Sequence, residues 1–337
     1  MAFRIAINGF GRIGRMVYRI LEQSADFEVL AINDLTDPEM LAHLLQFDSV
    51  HRRFDADVAC KDGALIVNGR TVHVTSLRNP ADLPWAEHQI DLVMECTGVF
   101  RNKQTASAHI EAGAKFVILS APAKGDIDNT IVVGVNDETL DPSTQTVVSN
   151  GSCTTNCLAP IVKVIDEQFG LERGVVTTIH SYTNDQRLLD LPHADKRRAR
   201  AAALSIVPTS TGAAKAIGLV LPHLKGKLDG IAVRVPTPNV SLVDLVVETR
   251  EAVTVESVNA AMKAAADSGP LHGVLAYEER PLVSTDYIGC PYSSIVDAQI
   301  TTVMGDHMVK VLSWYDNEWG FSNRMVDLAR LMLGTSR

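Results

Sequence analysis

The sequence predicts an α/β fold: a doubly wound parallel sheet in the N-terminal half, followed by an α+β domain with a mixed or antiparallel sheet. Three observations carry this. Gly9-Phe10-Gly11-Arg12-Ile13-Gly14 leaves an apolar, strand-like run and opens a helical one. Short β-branched runs then alternate with helical periodicity as far as Ser149. Beyond Cys153, long strand-like segments follow one another with fewer helices between them. Strand–helix–strand repetition demands parallel pairing with right-handed crossovers, whereas successive strands favour antiparallel or mixed pairing.

Taken in order, Phe3 to Ile7 is apolar and ends at the glycine turn, and Ile13, Val17, Ile20 and Leu21 recur at helical spacing. Glu28 to Ile32, Asp91 to Cys96, Phe116 to Leu119, Ile131 to Val135 and Thr146 to Ser149 read as further strands. An Ala-rich stretch from Thr105 to Ala112 reads as helix. A helix follows Cys153, with Leu158, Ile161, Val162, Ile165 and Phe169 on one face and Gly170 at the C-terminal cap position. The later strands are Val175 to His180, Ile231 to Val235, Val240 to Glu248, Ile295 to Val303 and Met308 to Trp314. Asn323 to Leu333 is apolar at helical spacing and is expected to pack back on the first domain. At 337 residues the chain is expected to form about two domains. Their boundaries are placed at 1–152, rejoined by a helix over about 319–337, and at 153–318.

Composition narrows the class. A chain 46% hydrophobic and 21% charged can form globular cores, and no apolar run approaches the roughly 18 residues that span a bilayer. The start, MAFRIAING, places Arg4 inside its apolar stretch and shows no signal-peptide pattern, so a cytoplasmic chain is expected. Five cysteines, an odd and sparse set without a C-x-x-C pair, argue against a disulfide framework and against a metal site. A net charge of −9 opposes attraction to polyanions, so nucleic acid is not expected as a primary partner. The run Lys196, Arg197, Arg198, Arg200 is the local exception.

The glycine pattern permits a tight turn, close approach of a pyrophosphate and close helix packing, with the helix N-terminus facing the anion. Asp34 follows Gly14 by 20 residues, where a carboxylate accepts from ribose hydroxyls and repels a 2′-phosphate. A Rossmann-type site for NAD rather than NADP is therefore expected. The bland alternative is a glycine turn with a chance acidic residue.

Ser149-Asn150-Gly151-Ser152-Cys153-Thr154-Thr155-Asn156-Cys157 places Cys153 in the first turn of a helix, where free N–H groups and the helix dipole favour a thiolate. Cys157 lies one turn deeper and is expected to be inert. Cys60, Cys96 and Cys290 read as small buried hydrophobes. A nucleophilic cysteine needs a base, and ten histidines compete for that role. His180 is a candidate because it ends a strand and leads into the polar loop Ser181-Tyr182-Thr183-Asn184-Asp185.

The segments AINGFGRIGR, SNGSCTTNCLAP, HSYTNDQRLLDLPH, PTSTGAAKA, RVPTPNVSLVDL and SWYDNEWGFSNR occur in that order. Through them the chain resembles phosphorylating glyceraldehyde-3-phosphate dehydrogenases over essentially its whole length. The resemblance implies a Rossmann domain rejoined by the C-terminal helix, a catalytic domain, a homotetramer and NAD as cofactor. It implies that Cys153 attacks the aldehyde of glyceraldehyde 3-phosphate to give a thiohemiacetal, with His180 as base. Inorganic phosphate would then cleave the resulting thioester to an acyl phosphate. Asn317 matches the residue that fixes the nicotinamide carboxamide, and Arg12, Arg78 and Ser120 join Gly9, Gly11, Ile13, Gly14 and Asp34 along the cofactor path. Thr183 and Arg234, with Asp185 nearby, match the site for the substrate's own phosphate. Ser152, Thr154, Thr211, Gly212 and Arg198 match the site for attacking phosphate. Two phosphorylated ligands call for arginine forks and hydroxyl donors, which gives Arg198 a role. Nucleic-acid contact and a solvated charged face are the other readings of its basic run.

Four positions depart from the family pattern: Gly151 for alanine, Cys96 for serine, Phe321 for tyrosine and Arg52 for glycine. Three rival functions bear on the same residues. Erythrose-4-phosphate dehydrogenases share the cysteine segment but not STGAAK and TNDQ. NADP-linked photosynthetic forms lack the acidic ribose residue and the Leu-Pro pair, present here as Asp34, Leu191 and Pro192. A non-enzymatic binding protein of the same fold would not require Cys153, His180 and Asn317 together.

Overall fold

In the computed structural model, which describes residues 2–335, β1 (Phe3–Asn8) buries its last four side chains completely or nearly so. Such a run suits a central parallel strand covered on both faces. It hands the chain to the glycine turn and α1 (Arg12–Leu21). Gly9 adopts φ +90°, and a Cβ on Gly14 would stand 2.2 Å from the Gly9 carbonyl oxygen. Helix and turn can meet this closely only when both positions are glycine. A Cβ on Gly11 would meet nothing within 4 Å, so that flank of the turn is open.

The chain divides into two units. The first comprises residues up to Ile131, Asp137–Gly151 and the chain from Ser322 onward. After α1 come β2 (Phe27–Asn33), α2 (Pro38–Gln46), β3 (Val58–Lys61), β4 (Ala64–Val67), β5 (Arg70–Thr75), β6 (Leu92–Glu95), α3 (Lys103–Ala106), α4 (Ala108–Glu111), β7 (Phe116–Leu119), β8 (Asn129–Thr130) and β9 (Val147–Ser149). The nine-stranded sheet runs β3-β4-β5-β2-β1-β6-β7-β9-β8. Its β5-to-β8 portion is parallel throughout, and the β3–β4–β5 meander is antiparallel. Strand order reverses between β1 and β6, the switch point at which doubly wound sheets bind ligands.

The second unit comprises Val132–Asn136 and Ser152–Phe321. It contains α5 (Cys153–Phe169), β10 (Leu171–Ser181), β11 (Val207–Ser210), α6 (Ala213–Val220), β12 (Leu228–Val235), β13 (Ser241–Thr249), α7 (Val255–Asp267), β14 (Leu275–Glu278), β15 (Ser294–Asp297), β16 (Thr302–Met304) and β17 (Met308–Tyr315). The order is β11-β12-β10-β13-β17-β15-β14, with β16 paired to β17. Pairs β10–β12 and β14–β15 are parallel and the rest antiparallel, so the sheet is mixed. β13 buries every second side chain, and α5 lies across β10, β13, β15 and β17. The face of α5 carrying Leu158, Ile161, Val162 and Ile165 is fully buried. The last helix, α8 (Trp319–Leu333), enters the first unit from Ser322 onward, where the Arg330 guanidinium lies 5.5 Å over the Phe27 ring.

Three expected elements differ. The strand expected over Ile131 to Val135 is a turn: Gly134 adopts φ +83°, and the Val132 N–H donates to the Asn136 side chain instead of a ladder. The helix over Thr105 to Ala112 is two single turns that meet at Ser107. The strand over Ile295 to Val303 is interrupted after Asp297, so β15 and β16 pair separately with β17. Two family departures also find an account. Gly151 adopts φ 65°, a conformation that glycine holds at no steric cost. Arg52 adopts φ 65°, which an L-residue holds at a cost of roughly 1 kcal/mol.

Candidate active site

Each unit carries part of the candidate machinery. In the first, the ends of β1, β2 and β6 surround a cavity of about 400 Å³ lined by Asn8, Gly9, Gly11, Asn33, Asp34, Leu35, Leu77, Arg78, Cys96, Thr97, Val99 and Phe100. Four expected cofactor residues, Gly9, Gly11, Asp34 and Arg78, lie in its wall. The Asp34 carboxylate is fixed by backbone donors, Phe10 N–H at 2.7 Å and Thr36 N–H at 2.9 Å. Gly14 is buried against the turn and Ile13 is half-buried in α1. Arg12 forks onto Asp48, with Nη2 donating to Oδ1 at 3.2 Å. Ser120 follows β7, its N–H donating to the Glu95 carbonyl at 2.9 Å. The remaining lining residues, from Asn8 and Asn33 to Thr97 and Phe100, went unassigned in the sequence. Their signal is position alone: they end β1 and β2 or lie in the loops that follow β2, β5 and β6.

Cys96 lines the same cavity. Burial and the adjacent Glu95 carboxylate push its thiol up to about 12, so it stays protonated at neutral pH. Reactivity requires the thiolate, so its surroundings speak against an oxidation-sensitive role.

In the second unit Ser152 caps α5, its Oγ accepting the Thr155 N–H at 3.0 Å, and Cys153 opens the helix. Cys153 Sγ lies 3.5 Å from His180 Nε2. His180 is the penultimate residue of β10, and the parallel β10–β12 register sets it beside Arg234. Its Nδ1 lies 2.7 Å from two competing partners: the Ser181 carbonyl, an acceptor, and Arg234 Nη1, a donor. Arg234 Nη1 also donates to that carbonyl at 3.0 Å. Behind the pair stands Tyr315, which the sequence did not single out. Its hydroxyl meets Thr154 Oγ1 at 2.9 Å and Thr178 Oγ1 at 2.8 Å, and its ring lies edge-on to His180.

The electrostatics differ from the expectation. A helix start was expected to favour a Cys153 thiolate, but burial pushes the thiol above its ordinary value. The largest opposing influence is the Arg234 cation, followed by hydrogen bonds from Thr154. Burial, and then Arg234, pushes His180 down to about 3. The resting pair is thus a neutral imidazole beside a thiol.

The expected anion residues differ in their surroundings. Thr154 and Arg234 adjoin the Cys153–His180 pair. Arg198 is held by an ion pair to Asp185, by Asp195 and by Thr209 Oγ1 at 3.0 Å, so Asp185 acts as an anchor for Arg198. Thr211 Oγ1 accepts the Ala213 N–H at 3.2 Å just before α6, and Gly212 is that helix's N-cap. The Thr183 carbonyl accepts the Gln186 N–H at 2.9 Å, while Ser152 is engaged in capping. Asn317 is held by relay: Ser181 N–H donates to Ser241 Oγ, which donates to Asn317 Oδ1 at 2.9 Å. The relay takes up the Asn317 carbonyl oxygen and leaves its NH₂ outside it. Among the described residues, no cluster of three His, Cys, Asp or Glu could hold a metal ion, and no helix is long and apolar enough to cross a membrane.

Comparison with known proteins gives this arrangement a context. Residues 3–103 match the model of the glyceraldehyde 3-phosphate dehydrogenase NAD binding domain, and residues 152–317 match that of the C-terminal domain. The chain is 61% identical over 329 residues to a glyceraldehyde-3-phosphate dehydrogenase of Geobacillus stearothermophilus, covering 98% of both chains. It is 59% identical to glyceraldehyde-3-phosphate dehydrogenase 1 of Bacillus subtilis, again over 98% of both. It is 56% identical to a Streptomyces coelicolor counterpart, over 97% of this chain and 98% of the other. The chain belongs to the glyceraldehyde-3-phosphate dehydrogenase family. Every residue lining the cavity falls within the stretch matched to that family's NAD binding domain. Cys153, His180, Arg234 and Asn317 fall within the stretch matched to its C-terminal domain.

Proposed function

We propose that this chain oxidises D-glyceraldehyde 3-phosphate with NAD and passes the acyl group to inorganic phosphate, giving 1,3-bisphosphoglycerate. As a member of the glyceraldehyde-3-phosphate dehydrogenase family, it is an NAD-dependent oxidoreductase of glycolysis that acts on an aldehyde. The observation that carries the detailed path is the line Cys153 Sγ, His180 and Arg234, joined at 3.5 and 2.7 Å. Sulfur adds to the aldehyde carbon as the thiol proton passes to the carbonyl oxygen, giving a thiohemiacetal on Cys153. The hydride of that carbon would pass to the nicotinamide, the acceptor that NAD supplies when bound. His180 Nε2 takes the hydroxyl proton as the carbonyl re-forms, leaving a thioester. Phosphate oxygen then attacks the thioester carbon, and the Cys153 thiolate leaves.

The two partners of His180 Nδ1 suggest how one imidazole serves both steps. With Arg234 donating into Nδ1, the ring proton sits on Nε2 and faces sulfur, supporting a thiolate. When Arg234 is drawn towards the substrate's phosphate, exchange with water moves the ring proton from Nε2 to Nδ1, which donates it to the Ser181 carbonyl, and Nε2 is free to accept a proton. Arg198, Thr211 and Gly212 would hold the attacking phosphate, and Asn317 the nicotinamide carboxamide. Anchored as it is by Phe10 and Thr36, Asp34 would disfavour a 2′-phosphate and so select NAD. A homotetramer in the cytoplasm fits the exposed apolar loop between β10 and β11 and the sparse free cysteines.

Initial rates with NAD and glyceraldehyde 3-phosphate, with and without phosphate, test the path. Rate should require phosphate; equal rates in its absence would overturn the phosphorylating step. Erythrose 4-phosphate run in parallel should be the poorer substrate, and the reverse order would replace the assignment.

A further inference from the structure

Beneath the cavity floor lies a chain of buried polar side chains that touches neither Cys153 nor His180. Glu95, at the end of β6, is the buried anion at its centre. Its carboxylate has no Lys or Arg partner among the described residues; it is surrounded by neutral donors instead. Oε2 accepts from Asn8 Nδ2 at 2.6 Å and meets His109 Nε2 at 3.0 Å. Oε1 accepts from the Thr97 N–H at 2.8 Å and from the Thr97 hydroxyl.

Each donor is oriented from behind. The Trp85 indole N–H, which can only donate, lies 3.0 Å from His109 Nδ1. That nitrogen must accept, so the imidazole proton sits on Nε2 and faces Glu95. Asn8 Oδ1 accepts from Asn33 Nδ2 at 2.7 Å, which turns the Asn8 NH₂ towards Glu95. Asn33 in turn exchanges hydrogen bonds with the Leu77 backbone, at 2.9 Å in each direction. Thr97 Oγ1 accepts the Val99 N–H at 3.0 Å, fixing the loop after β6. Donors thus converge on one carboxylate from α4, from β1 and from the loop that follows β6. Asn8, Asn33, Leu77, Thr97 and Val99 are all cavity-lining residues.

We infer that Glu95 is a positioning residue for the dinucleotide: reaching no ligand itself, it locks the Asn8 and Thr97 walls of the cavity in their binding geometry. A buried polar network has this effect only when every member is satisfied. Replacing the carboxylate with an amide places an NH₂ among the donors, and at least one of Asn8, His109 and Thr97 must then turn away. The inference rests on the reading of this cavity as the NAD site.

Calorimetric titration of the full-length protein with NAD tests it. Glu95→Gln should raise the dissociation constant about ten- to hundredfold, the loss expected for hydrogen bonds to a charged group. The turnover number at saturating NAD and the iodoacetamide reactivity of Cys153 should stay unchanged. His109→Gln keeps an acceptor for Trp85 and a donor for Glu95, and should bind NAD within about threefold of wild type. His109→Leu should lose affinity as Glu95→Gln does. Should Glu95→Gln fail to fold, the two His109 variants decide. Wild-type affinity in Glu95→Gln or His109→Leu overturns the inference, as do equal losses in the two His109 variants. Failure of the wild type to bind NAD overturns the cavity reading instead.

Discussion

Arg234 sits where two ionisations meet, and its charge acts on both in the same direction. A cation beside a thiol favours the thiolate, and a cation beside an imidazole disfavours the imidazolium. Removing it therefore has a signed consequence. Arg234→Met should raise the Cys153 thiol further above its ordinary value, moving the midpoint of the alkylation–pH curve upward by about one unit. Alkylation at neutral pH should slow roughly tenfold. His180→Asn, which removes the Nε2–H facing sulfur, should shift the curve the same way. Iodoacetamide kinetics followed upward from neutral pH until the rate levels off read both, and an unchanged curve in Arg234→Met would remove it from control of the thiol. At this scale the sequence was legible only in part. A cysteine opening a helix is visible as a motif, and so is a histidine at a strand end. The balance of burial against Arg234 is not, because the neighbour that sets it comes from β12, 54 residues away and placed by sheet register.

At the scale of elements, the strands read most clearly were those buried on both faces, β1, β2, β6 and β7, whose apolar runs need no partner to be recognised. Short strands escaped notice: β3 and β4 alternate only partly in burial over four residues each, and β5 buries Val72 alone of its six, so no period stands out. The loop between α2 and β3 was equally opaque, yet it anchors the glycine turn through Asp48. That side chain is 1% exposed and pairs with Arg12. Burial alone would raise its carboxyl, but the His51 N–H, Arg12 and the Val50 N–H hold it at about 2. A folded value below the ordinary 3.8 stabilises the fold above pH 4, and the contribution disappears as pH falls from about 4 to 2. Asp48→Asn should therefore cost about 2 kcal/mol at pH 7. Urea unfolding at a series of pH values checks this. The gap to wild type should narrow on acidification, and a constant gap would show that the Asp48 charge contributes nothing.

Assembly is the property of the whole molecule least visible in an isolated subunit, and here two surfaces bear on it. The stretch between β10 and β11 exposes Leu188 (80%), Leu189 (70%), Leu191 (60%), Leu204 (80%) and Ile206 (69%), far more apolar surface than a solvated loop needs. The mixed sheet exposes a second patch at Val175 on β10 and Ile231 on β12, adjacent strands of one face. A self-complementary patch closes a dimer about one two-fold axis, and two different patches close a tetramer about two or more. The expected particle therefore has a mass about four times the 36.5 kDa subunit. Charging one patch should break one kind of interface and leave the other intact. The double variant Leu188→Asp, Leu204→Asp should sediment as a dimer that still binds NAD, not as a monomer. Velocity sedimentation at micromolar concentration distinguishes these species. A monomeric wild type would remove the tetramer. A variant that fell directly to monomers would show that the sheet face closes no interface of its own.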